Sequence, residues 1–179
     1  MAEPSMFTKC TAEFLGTFLL VLTVGCNVLG GGGMWAGVSI ACVLMVSIYA
    51  LGGISGANFN PAVSVALGIS KYFGGPGIDA ATVAIYSFVQ CLGAVTASFC
   101  FSALYGKNIH VGPAKGFESW HAGACELLYT LMLCFVVLNV AAAKKNVQEK
   151  GQYYGLAIGF VIIAGAYGAG AVSGGCFNP

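Results

Sequence analysis

Residues 55–61 read Ser-Gly-Ala-Asn-Phe-Asn-Pro, and residues 173–179 read Ser-Gly-Gly-Cys-Phe-Asn-Pro. The similarity extends upstream, because residues 37–61 align with residues 155–179 without a gap and ten of the 25 positions are identical. Biased apolar composition does not explain an ordered Ser-Gly-x-x-Phe-Asn-Pro match. We therefore interpret the two segments as equivalent parts of an internal repeat.

A second pair of landmarks places the boundaries of this repeat. Glu13-x-x-x-Thr17 and Glu126-x-x-x-Thr130 each stand near the start of an apolar run. We expect a first repeat over residues 1–106, with three spans and a re-entrant half-helix, and a linking loop over 107–118. An incomplete second repeat follows over 119–179, with two spans and the start of the second Asn-Pro loop. Because the first repeat has an odd number of spans, the second enters the membrane from the other side, and the repeat is inverted.

The composition predicts a membrane protein. Of the 179 residues, 58% are hydrophobic and only 7% are charged, and no charged residue occurs from position 14 to position 70. A single membrane span needs about 20 residues, so this stretch alone holds two. Apolar runs predict an all-α membrane protein with five spans, near residues 11–30, 36–54, 80–104, 120–142 and 153–171.

The two Asn-Pro turns predict half-helices that begin inside the membrane. Proline suits the first turn of a helix and Asn60 is a good N-cap, so Pro61 starts a helix to about Ile69, too short to cross. We expect the carbonyls of Gly52–Ala57 to face the lumen as acceptors. Two helix starts aimed at one point repel a cation, whereas the amides of Asn60 and Asn178 can donate to the oxygen of a neutral solute.

Glu13 and Glu126 are acidic residues inside otherwise apolar spans. An ionisable group is costly there, so we expect each carboxylate to support a neighbouring loop by accepting its backbone hydrogen bonds. The alternative is that each stands at the membrane interface near a helix end.

The charged residues predict an orientation and exclude some partners. All seven basic residues are lysines; Lys9, Lys71 and the cluster Lys144, Lys145 and Lys150 fall on one side, and Lys107 and Lys115 on the other. The positive-inside rule then places the N-terminus in the cytoplasm. A net charge of +1 gives no reason to expect a nucleic-acid partner.

Other chemistry finds no support in the sequence. We find no nucleophile and base arrangement, phosphate loop, cofactor motif or metal-ligand spacing, so we predict that the chain is not an enzyme. Most of the eight cysteines lie in apolar runs and are expected to be small reduced hydrophobes. Cys176 differs, because it lies in the second heptapeptide, where a thiol could face the pore and be reached by a mercurial.

The chain resembles the major intrinsic proteins, the aquaporin and aquaglyceroporin family. The resemblance covers essentially the whole chain and implies a right-handed bundle of six spans and two half-helices, with one pore per protomer and a homotetramer. It rests on these motifs: Ala12-Glu13-Phe14-x-Gly16-Thr17, the heptapeptide at 55–61 with Ala62-Val63, Tyr86-x-x-x-Gln90-x-x-Gly93-Ala94, Glu126-x-x-x-Thr130, Gly155–Gly159, and Ser173-Gly174-x-x-x-Asn178-Pro179.

The resemblance also assigns pore residues. It places Asn60, Pro61 and Ala62 in the first Asn-Pro turn and Asn178 and Pro179 in the second. It puts Ile40 and Ala166 at the constriction, where Gly175 contributes backbone. Family members continue with Ala and usually Arg, the rest of the half-helix and a sixth span, whereas this sequence stops at Pro179 and has no Arg. Small and aliphatic constriction residues imply a wider filter than that of water-selective members.

Three functions compete at this point. The first is a passive channel for water and small neutral solutes such as glycerol or urea. The second is a truncated chain that serves as a structural subunit among other membrane proteins without transporting anything. The third, an ion- or proton-coupled transporter, is disfavoured because both Asn-Pro neighbourhoods lack ionisable residues.

Overall fold

The computed structural model describes residues 3–143 and 153–179, and the regular elements there are helices. Five helices in this part of the chain are long and apolar enough to cross a membrane. The α-helices of the described residues are α1 (Met6–Leu29), α2 (Ala36–Ser55), α3 (Pro61–Tyr72), α4 (Ala80–Tyr105), α5 (Ser119–Val137) and α6 (Tyr154–Ser173).

The five predicted spans and the all-α class are confirmed, with small shifts at the ends. Helix α1 begins five residues before its predicted start, because the Ser5 hydroxyl accepts a hydrogen bond from Thr8 N–H and caps the helix. A short 3-10 turn, Gly33–Trp35, leads into α2. Helix α5 continues as a π-helical turn, Leu138–Ala142, which completes the fourth span. The predicted basic cluster of Lys144, Lys145 and Lys150 lies outside the described residues.

Helix α3 is the predicted half-helix, and it runs three residues further, to Tyr72. Asn60 caps it as expected, because the Asn60 side chain accepts a hydrogen bond from Ala62 N–H at 2.8 Å. Twelve residues rise about 18 Å, well short of the roughly 30 Å hydrocarbon layer. Helix α3 therefore starts within the thickness of the bundle and reaches only one side.

One prediction about the approach to this turn is wrong. The carbonyls of Gly52–Ala57 were expected to face the lumen, but Gly52–Ser55 form the last turn of α2. The Gly52 carbonyl accepts from Gly56 N–H, and the Ser55 carbonyl accepts from the Tyr86 hydroxyl at 2.9 Å. These oxygens are thus used by the protein, because backbone groups away from water must find partners within the fold.

Helices α2 and α6 pack with a reciprocal contact that reflects the repeat. The Tyr49 ring covers Gly155, and the Tyr49 hydroxyl accepts a hydrogen bond from Leu156 N–H at 3.0 Å. Tyr167, the equivalent of Tyr49, donates to the carbonyl oxygen of Met34 at the other end of the helix pair. Each tyrosine therefore contacts the start of the opposite helix, as a two-fold relation between the repeats requires.

Helices α1 and α4 approach closely because glycine removes the side chain at the contact. A Cβ atom at Gly93 would lie 2.6 Å from the carbonyl oxygen of Phe14. Small residues allow this backbone approach between membrane helices. The contact holds α4 beside α1 and brings the Tyr86 and Gln90 side chains to the first Asn-Pro turn.

Candidate functional site

The two Asn-Pro turns meet inside the bundle and exchange hydrogen bonds. Asn60 Nδ2 donates to the carbonyl oxygen of Phe177 at 2.6 Å. Asn178 Nδ2 donates to the carbonyl oxygen of Phe59 at 2.9 Å. The pairing is reciprocal, so each asparagine is held by the residue that precedes the other asparagine.

Both turns leave their helices with the same backbone geometry. Gly56 and Gly174 terminate α2 and α6 in the left-handed region, with φ of 94° and 92°. Glycine adopts this conformation without a steric penalty. The serine before each glycine then accepts a backbone hydrogen bond two residues on, from Ala57 N–H at 3.0 Å and from Gly175 N–H at 3.1 Å. The shared Ser-Gly pair therefore specifies the same exit from both helices.

Phe59 and Phe177 are strained residues at equivalent positions of the two turns. Their φ angles are +51° and +49°, a conformation that a bulky L-residue rarely adopts. Both side chains are buried, with 0% and 1% of their surface exposed. Such a conformation costs about 1–3 kcal/mol and persists only when its surroundings hold it.

The carboxylate of Glu13 helps to stabilise this backbone conformation in the first turn. Its carboxylate is fully buried, and by accepting hydrogen bonds it satisfies the backbone and side chains around the strained residue. The four donors are Ser55 Oγ at 2.6 Å, Asn58 N at 3.0 Å, Phe59 N at 2.8 Å and Gln90 Nε2 at 2.8 Å. The carboxylate thus supports a neighbouring loop, as the sequence predicts.

Glu126 occupies the equivalent position in the second repeat. Its two oxygens accept hydrogen bonds from Cys176 N–H at 3.0 Å and from Phe177 N–H at 2.6 Å. The geometry matches the pair of backbone bonds that Glu13 makes to the first turn. Glu126 is less enclosed than Glu13, because it also borders a cavity beside the two turns.

A cavity of about 700 Å³ opens beside the two turns. Aliphatic side chains such as Leu44, Ile158 and Ile162 form much of its wall, and a few polar groups interrupt them. Six of the predicted pore residues line it, namely Ile40, Asn60, Ala62, Gly175, Asn178 and Pro179. An apolar wall with a few converging polar groups is typical of a site that binds or passes a small molecule.

Cys176, predicted to face the pore, also lines the cavity, whereas Pro61, Glu13 and Ala166 do not. Pro61 is the first residue of α3 and Glu13 lies behind the first turn. Ala166 lies on α6 facing α2, where its Cβ would be 2.8 Å from a Cβ added at Gly37. The pore role of Ala166 remains a prediction, and its methyl group is packed against the glycine of the neighbouring helix.

The polar groups at the turns combine an amide donor with a helix start. An asparagine amide carries two N–H donors, and one of those on Asn60 goes to Phe177, which leaves at most one for a solute. The start of α3 contributes the positive end of its dipole at the same place. The arrangement can bind an oxygen acceptor and opposes a cation.

Comparison with known proteins gives the family. The family model described as "Major intrinsic protein" matches residues 1–179. Aquaporin AqpM of Methanothermobacter marburgensis is 31% identical over 206 residues, which cover 98% of this chain and 80% of that protein. The chain belongs to the major intrinsic protein family. Its membership, with the five apolar helices, makes it an integral multi-pass membrane protein.

Plant members of the major intrinsic protein family are also similar. Aquaporin NIP2-1 of Oryza sativa subsp. japonica is 36% identical over 189 residues, and Aquaporin NIP2-1 of Zea mays is 35% identical over 190. The matches cover 98% of this chain in both cases, and 59% and 60% of the plant proteins. The chain therefore spans about three fifths of the length of these curated relatives.

Sequence reasoning did not assign a role to several residues that build the site. Gln90 donates to Glu13, Tyr86 donates to the Ser55 carbonyl, and both are completely or almost completely buried. They stand four positions apart in an apolar span, so they share a helix face, and this pattern could have indicated an inward polar stripe. Sequence reasoning also did not predict that the linking loop forms part of the cavity wall, which Ile109 and Val111 line.

Proposed function

We propose that this protein is a passive transmembrane channel for water and for small neutral solutes such as glycerol. The observation that carries the proposal is the reciprocal pair of hydrogen bonds that fixes both asparagine amides beside one cavity. A passing solute needs donors that are held in place but bind it weakly enough to release it. The side-chain amides of Asn60 and Asn178 meet that need, because each is fixed by one hydrogen bond to a backbone carbonyl.

The charge of the site favours a neutral solute over an ion. The start of α3 adds a partial positive charge beside the amide donors, and this repels a cation or a hydronium ion. Water or an alcohol hydroxyl can accept from the same donors. The two carboxylates nearest the turns, Glu13 and Glu126, are occupied by backbone hydrogen bonds.

The aliphatic wall supports passage of solutes larger than water. Ile40 from α2 and Gly175 from the second turn both line the cavity. Such residues offer contact to the carbon side of glycerol, while the amides take its hydroxyl groups. We propose Ile40, Ala166 and Gly175 as the constriction of the pore.

The proposed assembly is that of the family. We propose a homotetramer with one pore in each protomer and the N-terminus in the cytoplasm. The relatives carry the name aquaporin. Their name is consistent with water as a substrate, and the conduction of this chain is part of our proposal.

The test is osmotic shrinkage of lipid vesicles that contain the purified full-length protein. We expect faster shrinkage than in protein-free vesicles when an impermeant solute is added, and faster re-swelling when glycerol is the osmolyte. The replacement Asn60→Ala should abolish both differences, whereas Val46→Phe, on the exposed face of α2, should preserve both. Folded wild-type protein that leaves shrinkage unchanged would contradict the proposal and favour the structural-subunit hypothesis.

A further inference from the structure

The side chains of Phe59 and Phe177 rest on glycines, and the two glycines are not equivalent in the repeat. The Phe59 ring lies over Gly16 of α1, where any Cβ would be inside the van der Waals envelope of the ring. The Phe177 ring lies over Gly165 of α6, and a Cβ there would be 2.8 Å from Phe177 Cζ. The first phenylalanine is thus held by α1 and the second by α6.

The difference follows from the residues at the equivalent positions. The spacing between Glu13 and Glu126 makes Tyr129 the equivalent of Gly16, and the spacing between the heptapeptides makes Ser47 the equivalent of Gly165. The Tyr129 ring lies 5.4 Å from the Phe177 ring, centroid to centroid. In the second repeat, Tyr129 therefore fills the space that Gly16 leaves open in the first repeat. The Phe177 ring packs over Gly165 of α6 instead.

We propose that Gly16 and Gly165 are positioning residues for the two asparagine donors, each acting on the asparagine of the other repeat. Gly165 admits the Phe177 ring, the backbone of Phe177 carries the carbonyl, and that carbonyl holds the amide of Asn60. Gly16 acts in the same way through Phe59 on Asn178. The predicted effect on transport rests on the proposed function, whereas the positioning role does not.

The phenylalanine backbone makes this coupling direct. At a φ near +50° the ring and the carbonyl of one residue are fixed relative to each other, because a bulky side chain has little freedom in this region. A ring pushed off its glycine therefore turns or shifts the carbonyl. The amide that donates to the carbonyl must follow it or lose the hydrogen bond.

The direct test is solid-state NMR of the full-length protein in lipid bilayers, with 15N in the asparagine side chains. In Gly165→Ala we expect the Asn60 Nδ2 resonance to shift more than that of Asn178. In Gly16→Ala we expect the reverse order. Gly170→Ala on α6 and Gly53→Ala on α2 are matched controls, because a Cβ at either site would have no atom of residues 3–143 or 153–179 as a neighbour within 4 Å. Both resonances should stay in place in these controls.

A milder variant covers the case in which Gly165→Ala does not fold. Phe177→Leu keeps the glycine and removes the ring that rests on it, so it should also shift Asn60 more than Asn178. The double variant Gly165→Ala with Phe177→Leu should fold better than Gly165→Ala alone, because the smaller side chain leaves room for the methyl group.

The outcomes separate this inference from the proposed function. Unmoved Asn60 resonances in both folded single variants, or equal shifts of both asparagines, would overturn the crossed coupling whether or not the protein conducts water. Crossed shifts in a protein without osmotic activity would retain the positioning role and reject the channel. With both correct, Gly165→Ala lowers water permeability severalfold and the two control variants do not.

Discussion

Asn60 Nδ2 lies 2.6 Å from the carbonyl oxygen of Phe177, which joins residues 117 positions apart in the sequence. The same side chain caps α3 through its oxygen, 2.8 Å from Ala62 N. One residue therefore starts the half-helix with its acceptor and ties the two repeats together with its donor.

These two roles can be separated by the choice of replacement. Serine is as good an N-cap as asparagine but is too short to reach Phe177, so Asn60→Ser should retain the cap and lose the link. Asn60→Ala loses both and should be less stable than Asn60→Ser by about 1 kcal/mol. Thermal unfolding in detergent measures the difference, and vesicle shrinkage should be slow in both. Wild-type conduction by Asn60→Ser would show that the link is dispensable.

Glu13→Gln should destabilise the protein more than Glu126→Gln. Glutamine has nearly the shape of glutamate but presents an NH₂ group to donors, and each buried donor left without an acceptor costs about 1–3 kcal/mol. Glu13 accepts from four groups and is completely buried, whereas Glu126 accepts from two backbone N–H groups. The measurement is the unfolding midpoint of each variant in the same detergent. Equal losses would mean that the extra donors of the first repeat add nothing.

Asp79 should make stability depend on acid pH. It caps α4, and hydrogen bonds from the backbone and side chain of Thr82 hold the pKa of its carboxyl below the ordinary value. The stabilisation is therefore complete at neutral pH and is lost as the pH falls through the lowered pKa, below about 4. Asp79→Asn also caps the helix but does not titrate. A plot of thermal midpoint against pH should thus fall less steeply in acid for Asp79→Asn than for the wild type.

Ile40→Phe should change selectivity rather than assembly. An aromatic ring at this cavity-lining position narrows the space available to a solute, so glycerol permeability should fall by a larger factor than water permeability. Val46→Phe, on an exposed face of the same helix, is the matched control and should change neither. Equal reductions for both solutes in Ile40→Phe would place the constriction elsewhere.

The spans and the meeting of the turns could be predicted because they depend on composition and repetition. A run of apolar residues of membrane length is helical in almost any context, since backbone groups in lipid must be satisfied within the chain. The same rule explains the error at Gly52–Ser55. We expected their carbonyls to face the lumen, but α2 continues through them to Ser55 and ends only at Gly56, where the backbone turns left-handed.

Contacts between the repeats could not be predicted in the same way. Alignment makes Asn60 and Asn178 equivalent, but it does not say that each donates to the phenylalanine of the other turn. Alignment also places Ala166 on α6 but does not say which way its side chain points. The packing of its methyl group on Gly37 depends on how α2 and α6 cross. The role of Glu13 could be predicted, because a buried carboxylate needs hydrogen-bond donors and the strained loop supplies backbone N–H groups.

The crossed hydrogen bonds also order events during synthesis. The carbonyl that holds the Asn60 amide is made 117 residues after that amide, and Asn178 reaches back 119 residues to Phe59. Contacts of such long range form late, because the intervening chain must be placed first. The hydrogen bond from Asn60 therefore forms only after Phe177 has been synthesised, so the first turn is completed by a residue of the second repeat.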